Sequence, residues 1–200
     1  MHSECSTNDN LVISLILNYY DNAVSHRFSF LRHNISNQLI LFLKEIKSLL
    51  IRDATAKTFS IGQDPYYLID GDVTTHYSSA AAPTADSWIQ LRLKNPGFVH
   101  FVNIVNRGDC CGEKLHDVMI FVGNNSTALK TDTAADLSPH LCGVFDGPGY
   151  DGQIVPILCK QPLQGEFVVI RKNDVYQVGM NVAEVQVVGS AFLEKDSNGK

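Results

Sequence analysis

Hydrophobic and polar residues alternate along this chain in two rhythms. From Asn37 to Ile51, in NQLILFLKEIKSLLI, the residues Leu39, Phe42, Leu43, Ile46 and Leu49 or Leu50 recur at helical spacing. Ser36 stands where a cap belongs, so the pattern predicts an amphipathic helix over 37–51. From about Ala54 the period shortens to two. Ile89, Leu91 and Leu93 alternate with Gln90 and Arg92, and Val118, Ile120 and Val122 alternate with Asp117, Met119 and Phe121. EFVVIRK (Glu166 to Lys172) and EVQVVG (Glu184 to Gly189) read the same way, and DGD, NPG, GNN and DGPGYDG separate such segments. Short alternating strands between turn residues predict an all-β antiparallel sandwich. The organisation expected is an N-terminal extension over 1–51, a β domain over 52–192 and a frayed tail over 193–200. The apolar face of the predicted helix can pack on the domain or pair between chains, which makes a homo-oligomer possible.

Composition narrows the partners. Two hundred residues, 44% hydrophobic and 18% charged, suit one ordinary domain plus an extension. A formal net charge of −5, with no run of Lys or Arg, argues against nucleic acid. The longest apolar runs, LVISLIL and LILFL, fall short of the roughly 18 residues of a membrane span, so the chain reads as soluble. Five cysteines, Cys5, Cys110, Cys111, Cys142 and Cys159, leave one over. If Cys110 pairs with Cys111 and Cys142 with Cys159, the odd thiol is Cys5. The second of those bridges would close a loop of about 17 residues and stabilise by roughly 3 kcal/mol. Both would imply an oxidising, extracellular compartment. The start, MHSECSTNDN, offers neither a basic n-region nor an A-x-A-like cleavage site, so no signal peptide is read. Sequons at Asn34, Asn124 and Asn125 are compatible with secretion.

The stretch RGDCCGEKLH, Arg107 to His116, holds the densest chemistry. Adjacent Cα atoms lie roughly 3.8 Å apart, below the roughly 4.4 to 6.8 Å of a relaxed disulfide. A Cys110–Cys111 bond would therefore be a tight ring and a stiff apolar knob, with Gly108 and Gly112 as accommodating flanks. Two free thiols at a strand end are the alternative. The stretch follows FVHFVNIVN, so it forms a loop at the end of a sandwich strand, where such folds carry binding residues.

With IDGD (Ile69 to Asp72), SWIQLRL (Ser87 to Leu93), VNIVNRGDCCGEKLHDVMIFVG (Val102 to Gly123), the Cys142 to Cys159 loop and AEVQVVG (Ala183 to Gly189), the chain from about Ile51 to Phe192 resembles the F-type lectins. The resemblance implies an eight-stranded jelly-roll of discoidin type that binds L-fucose through a His, an Arg-x-Asp and a following Arg or Lys. Arg107, Asp109 and Lys114 match the second part of that motif. Arg107 would donate its fork to sugar oxygens and Lys114 a second cationic donor, while Asp109 would hold Arg107 or the loop backbone. The Cys110–Cys111 knob would support the sugar's apolar edge and methyl group. At the family's spacing the His is replaced by Ala80; His76 is the nearest histidine, beside Tyr77, and can take the role. Lys114 in place of Arg keeps the charge but loses the fork. A bridge common in the family, from the His-bearing loop to the residue before the C-terminal Glu, is missing at both ends, which are Ala80 to Ala82 and Ala183.

The same register implies a calcium site of Asp70, Asp72 and Glu184 with the backbone carbonyl of Ala183, hard oxygens of the kind Ca²⁺ takes. An ordinary turn is the plainer reading of DGD. The function implied is a non-enzymatic lectin for fucosylated glycans or glycoproteins in cell or microbe recognition, as in innate immunity. The competing function is a discoidin-like adhesion or assembly module that has lost the sugar. Catalysis by Cys110 and Cys111, or by Cys111 with His116, lacks an orienting third group and any cofactor motif.

Overall fold

The computed structural model describes residues 46–57, 63–79, 86–133, 135–173 and 179–191. The chain divides into two units, Met1–Lys47 and Ser48–Lys200. The expected helix lies outside the described residues over 37–45, and its last part is corrected: β1 (Lys47–Ser48) is extended and β2 (Ile51–Ala56) is a full strand. Pairing overrides the helical rhythm here. Leu49 N–H donates to Val187 O at 2.8 Å, Lys94 N–H donates to Leu50 O at 2.8 Å, and the Leu49 side chain covers Gly97 and Gly189. These bonds hold the backbone extended where propensity alone would coil it.

Two strands of 20 residues organise the domain, β4 (Asp86–Val105) and β7 (Ile154–Asn173). Their register slips between Arg92 and Gly97, at KNPG, where Pro96 has no N–H to give the ladder. The two halves then serve different neighbours. The first half of β4 pairs with β2 and with the end of β7, while the second half pairs with β9 (Glu184–Ala191) and the start of β7. β5 (Val118–Gly123) and β6 (Leu141–Phe145) extend the sheet beyond β7, giving the order β9-β4-β7-β5-β6. A small sheet pairs β3 (Tyr77–Ser78) with β8 (Asn181–Val182). The architecture is the antiparallel sandwich the alternation predicts.

The inward residues are the predicted ones. Ile89, Leu91, Leu93, Val118, Ile120, Val122, Val168, Ile170, Val185 and Val187 share one buried cluster. The outward face of β5 is not polar, however. Met119 and Phe121 pack with Leu129, Leu137, Val169 and Trp88 in a second cluster beneath the short helix α1 (Ser126–Thr131). Asn125 caps that helix, its side-chain oxygen accepting from Ala128 N–H. Cys142 and Cys159 are joined, with Cα atoms 3.9 Å apart, and tie β6 to β7.

Candidate functional site

Where β4 ends, three pieces of chain meet. Ala183 N–H donates to Val105 O at 2.8 Å, which brings the β3–β8 ladder beside the loop that starts at Asn106. Asn106 is 1% exposed and acts as the hub. Its side-chain oxygen accepts from Arg107 N–H at 2.9 Å, and its amide donates to Gly112 O at 2.8 Å and to Tyr150 O at 3.0 Å. A buried amide with both ends satisfied fixes the backbone around it. The loop of Gly147 to Gln153 is drawn in by further bonds, Gly152 N–H to Arg107 O at 2.9 Å and Gly112 N–H to the Asp151 carboxylate at 2.7 Å. Glycine at position 112 is required by this approach, because a Cβ there would lie 2.4 Å from the backbone of both Tyr150 and Asp151. Cys110 and Cys111 are joined, and Cys111 adopts φ of +67° at the start of the turn Gly112–Lys114.

Arg107 lies across this frame. Its Nε donates to Asp109 Oδ1 at 2.5 Å and its Nη2 to Asp109 Oδ2 at 2.8 Å, a two-pronged pair that leaves the other guanidinium N–H groups for a ligand. The bond to Asp109 raises the Arg107 pKa and holds the Asp109 carboxyl far below the usual carboxylate range. The Asp151 charge also favours the guanidinium. His76 stands close enough to feel both partners: burial lowers its pKa, Arg107 lowers it further, and Asp109 opposes them. His76 therefore lies within electrostatic range of Arg107 and Asp109, some thirty residues further along the sequence, and its imidazole is shifted toward the neutral form.

Tyr77 is corrected. It is 1% exposed, belongs to the main core and pairs with Val182, so its ring packs the sandwich rather than meeting a ligand. Burial raises its phenol pKa well above the usual value. Lys114 closes the Gly112–Lys114 turn, and its carbonyl accepts from Lys172 Nζ at 2.7 Å. Lys172 is 1% exposed and also meets His116 Nε2 at 3.1 Å, while His116 Nδ1 lies 2.7 Å from the Asp117 carboxylate. An ammonium from the core thus reaches up to hold the turn that presents Lys114.

The proposed cation ligands converge in part. Glu184 is 7% exposed and accepts from Gly71 N–H at 3.0 Å. Burial, with the Asp70 charge adding a smaller push, raises its carboxyl to about 7. Asp70 caps its own turn through Asp72 N–H and Thr75 Oγ1, and Asp72 Oδ1 is committed to Thr74. Among the described residues no three His, Cys, Asp or Glu side chains form a metal-holding group. The fit to a cation thus rests on Asp70 and Glu184, with Asp72 engaged in the turn.

Sequence reasoning missed Asn106, Asp151 and Lys172. For Asp151 the signal was the glycine density of GPGYDG; for Lys172 it was a lysine in the inward register of Val168 and Ile170. Asn106 carried no signal beyond its place before Arg107.

Comparison with known proteins bears on the fold and on the family resemblance. Residues 67–140 match the family model described as a NedA-like, galactose-binding domain. The chain is 30% identical over 124 residues to the pentraxin fusion protein of Xenopus laevis, covering 60% of this chain and 28% of that protein. It is 28% identical over 120 residues to fucolectin-1 of Anguilla japonica, covering 57% of this chain and 64% of that one, so it spans less than two thirds of either relative. Among solved structures it resembles the fucolectin of Morone saxatilis serum, with a TM-score of 0.58 and 22% identity over 70% of this chain and 47% of that one. A fucose binding module of Streptococcus pneumoniae gives 0.55 and 19% over 71% and 94%. At these identities the structural likeness establishes the fold, and the F-type lectin resemblance read from NRGDCCGEKL stands, since curated relatives are fucolectins.

Proposed function

We propose, from the likeness to the fucolectins and from the cluster at the end of β4, that this chain is a non-enzymatic lectin module for L-fucose-terminated glycans. The observation that carries the reading is the two-pronged Arg107–Asp109 pair beside the Cys110–Cys111 bridge, and His76, within electrostatic range of both, is the candidate for the histidine the motif's own position lacks. Each member suits a neutral, hydroxyl-rich ligand. Arg107 is locked by Asp109 yet keeps N–H donors free, so little side-chain entropy is lost when a sugar arrives. Neutral His76 offers one acceptor and one donor, Lys114 a second cation, and the Cys110–Cys111 bridge an apolar wall for the methyl group of fucose. The expected setting is extracellular, where both bridges persist, with glycans of cells or microbes as partners.

The reading extends to Ca²⁺ held by Asp70, Glu184 and the Ala183 carbonyl. The buried Glu184 with Asp70 nearby is what supports it, because a cation there would offset the cost of burying that carboxylate and the Asp70 charge beside it. Calorimetric titration of the oxidised protein with L-fucose, D-galactose and D-mannose, with and without Ca²⁺, tests both points. Saturable heat for fucose above the other sugars supports the lectin reading. No heat for any sugar would turn the sandwich over to adhesion or assembly.

A further inference from the structure

We propose that Asn125 is an N-glycosylation site, modified by a lipid-pyrophosphate-linked oligosaccharide on the way out of the cell; this rests on the extracellular setting proposed above. The stretch NNST, Asn124 to Thr127, holds two overlapping acceptor sequences, Asn124-Asn125-Ser126 and Asn125-Ser126-Thr127. Adjacent side chains leave no room for two bulky glycans, so one asparagine has to be favoured, and the two stand in different surroundings. Asn124 lies where the chain presses on the sheet. A Cβ on Gly165 would fall 2.6 Å from Gly123 N, and a Cβ on Gly123 would fall 3.0 Å from His140 Nδ1. The Asn124 side-chain oxygen accepts from Glu166 N–H at 3.1 Å, which turns its carboxamide onto β7.

One residue later the chain leaves the sheet. Asn125 is exposed, its side-chain oxygen accepts from Ala128 N–H at 3.2 Å, and among the described residues its side-chain nitrogen donates to nothing. That nitrogen is the atom that reacts. It forms a bond to the anomeric carbon of the donor's first sugar, the bond from that carbon to the lipid pyrophosphate breaks, and the amide gives up one proton. The product is still an amide whose oxygen accepts, so the bond from Ala128 N–H survives the modification. The acceptor sequence is read before the chain folds, and α1, with 6 residues, is too short to hold a helix by itself, so Thr127 meets the transferase on an extended chain. The place also suits a glycan-binding module. β5 begins just past the Gly112–Lys114 turn and ends at Gly123, and a strand of 6 residues spans about 20 Å, so a glycan on Asn125 stands at the far end of the strand from Arg107 and Lys114. The chain thereby keeps its own glycan out of its own site.

The experiment takes the full chain, secreted from a glycosylating cell line behind an appended signal peptide, and compares it with Ser126→Ala, which deletes the Asn124 sequence alone, and Thr127→Ala, which deletes the Asn125 sequence alone. Enzymatic release of the glycan in heavy-oxygen water turns the modified asparagine into a labelled Asp, and peptide mass spectrometry reads its position. The label is expected at Asn125 in wild type and Ser126→Ala and absent from it in Thr127→Ala. The released protein should melt as the glycosylated form does, because Asp caps α1 as well as Asn. An unmodified Asn125 in secreted protein whose Cys142 and Cys159 are joined, or a wild-type glycan on Asn124, overturns the assignment. Fucose titration of the glycosylated and released forms tests the placement: affinities within about twofold support it, and weaker binding by the glycosylated form overturns it. No fucose binding by either form overturns the lectin reading and leaves the glycan on Asn125 standing.

Discussion

Arg107 can be removed with little harm to the fold, which makes it the sharpest probe of the site. Its partner Asp109 is 64% exposed at the side chain, so losing the pair returns a carboxylate to water rather than stranding it in the core. The loop is held instead by main-chain and Asn106 bonds that Arg107→Ala leaves untouched, including Gly152 N–H to the Arg107 carbonyl. The loss for a sugar is of another size. A hydrogen bond from a charged donor contributes about 1.5 to 3 kcal/mol, so losing even one from the free guanidinium N–H groups weakens fucose binding by at least roughly tenfold, and losing two by over a hundredfold. Arg107→Lys should fall between, keeping the charge without the fork. Isothermal titration with L-fucose and a thermal melt of each variant measure the two effects separately. A well-folded Arg107→Ala protein that binds fucose as tightly as wild type would place the site elsewhere.

His76→Ala should weaken fucose about fivefold, one neutral hydrogen bond, and wild-type affinity should hold above and fall only below the ordinary histidine value of about 6.5, since His76 is shifted down; a flat profile to pH 4 would remove His76 from the site. Glu184 has its carboxyl raised to about 7, so the native state holds a proton that the unfolded chain releases near 4.5, and stability should decline as pH rises from 4.5 to 7 and level off above. The full shift amounts to about 3 kcal/mol, and solvent screening reduces it to about 1 to 2. Glu184→Gln should therefore melt higher than wild type at pH 8 without Ca²⁺ and lose any gain from Ca²⁺; a lower melting point in Glu184→Gln would refute the argument from burial. Gly112→Ala drives a Cβ into the backbone of Tyr150 and Asp151, so differential scanning fluorimetry should show a loss of at least about 2 kcal/mol and titration a loss of fucose binding; an unaltered melt would mean the two loops are not packed as described.

The sandwich was legible because alternation survives in it. Val118, Ile120 and Val122 face the main core as their spacing required, and the same holds for Ile89, Leu91 and Leu93. The second apolar cluster was hidden, since Met119 and Phe121 occupy the positions of an outward face and STALKT carries no apolar stripe to announce α1 above them. Residues 47–51 misled for the opposite reason. Their helical spacing is real, but the unpaired edges of β9 and β4 supply hydrogen bonds that a local pattern does not contain. The site divides along the same line. Arg107, Asp109 and the two cysteines are neighbours in sequence and were readable as a string, whereas the bond of Asp151 to Gly112, and the electrostatic influence of Arg107 on His76, depend on how strands far apart in the chain are laid side by side.

Lys172 shows what such non-local coupling does. It holds the inward position after Val168 and Ile170, where a hydrophobe would be cheaper to bury, and it spends its ammonium on the Lys114 carbonyl and the His116 ring. Buried charges that are hydrogen-bonded in this way stabilise less than apolar packing does, yet removing one end leaves the partner stranded. Lys172→Met should therefore fill the same volume, leave Lys114 O without its donor and free the Gly112–Lys114 turn from the core. The expected result is a loss of about 1 to 3 kcal/mol of stability, read as a lower melting temperature, with a loss of fucose affinity that Lys172→Arg partly restores. Unchanged fucose binding in a destabilised Lys172→Met protein would make the lysine a matter of stability alone, and would mean that Lys114 reaches its ligand without help from the strand below.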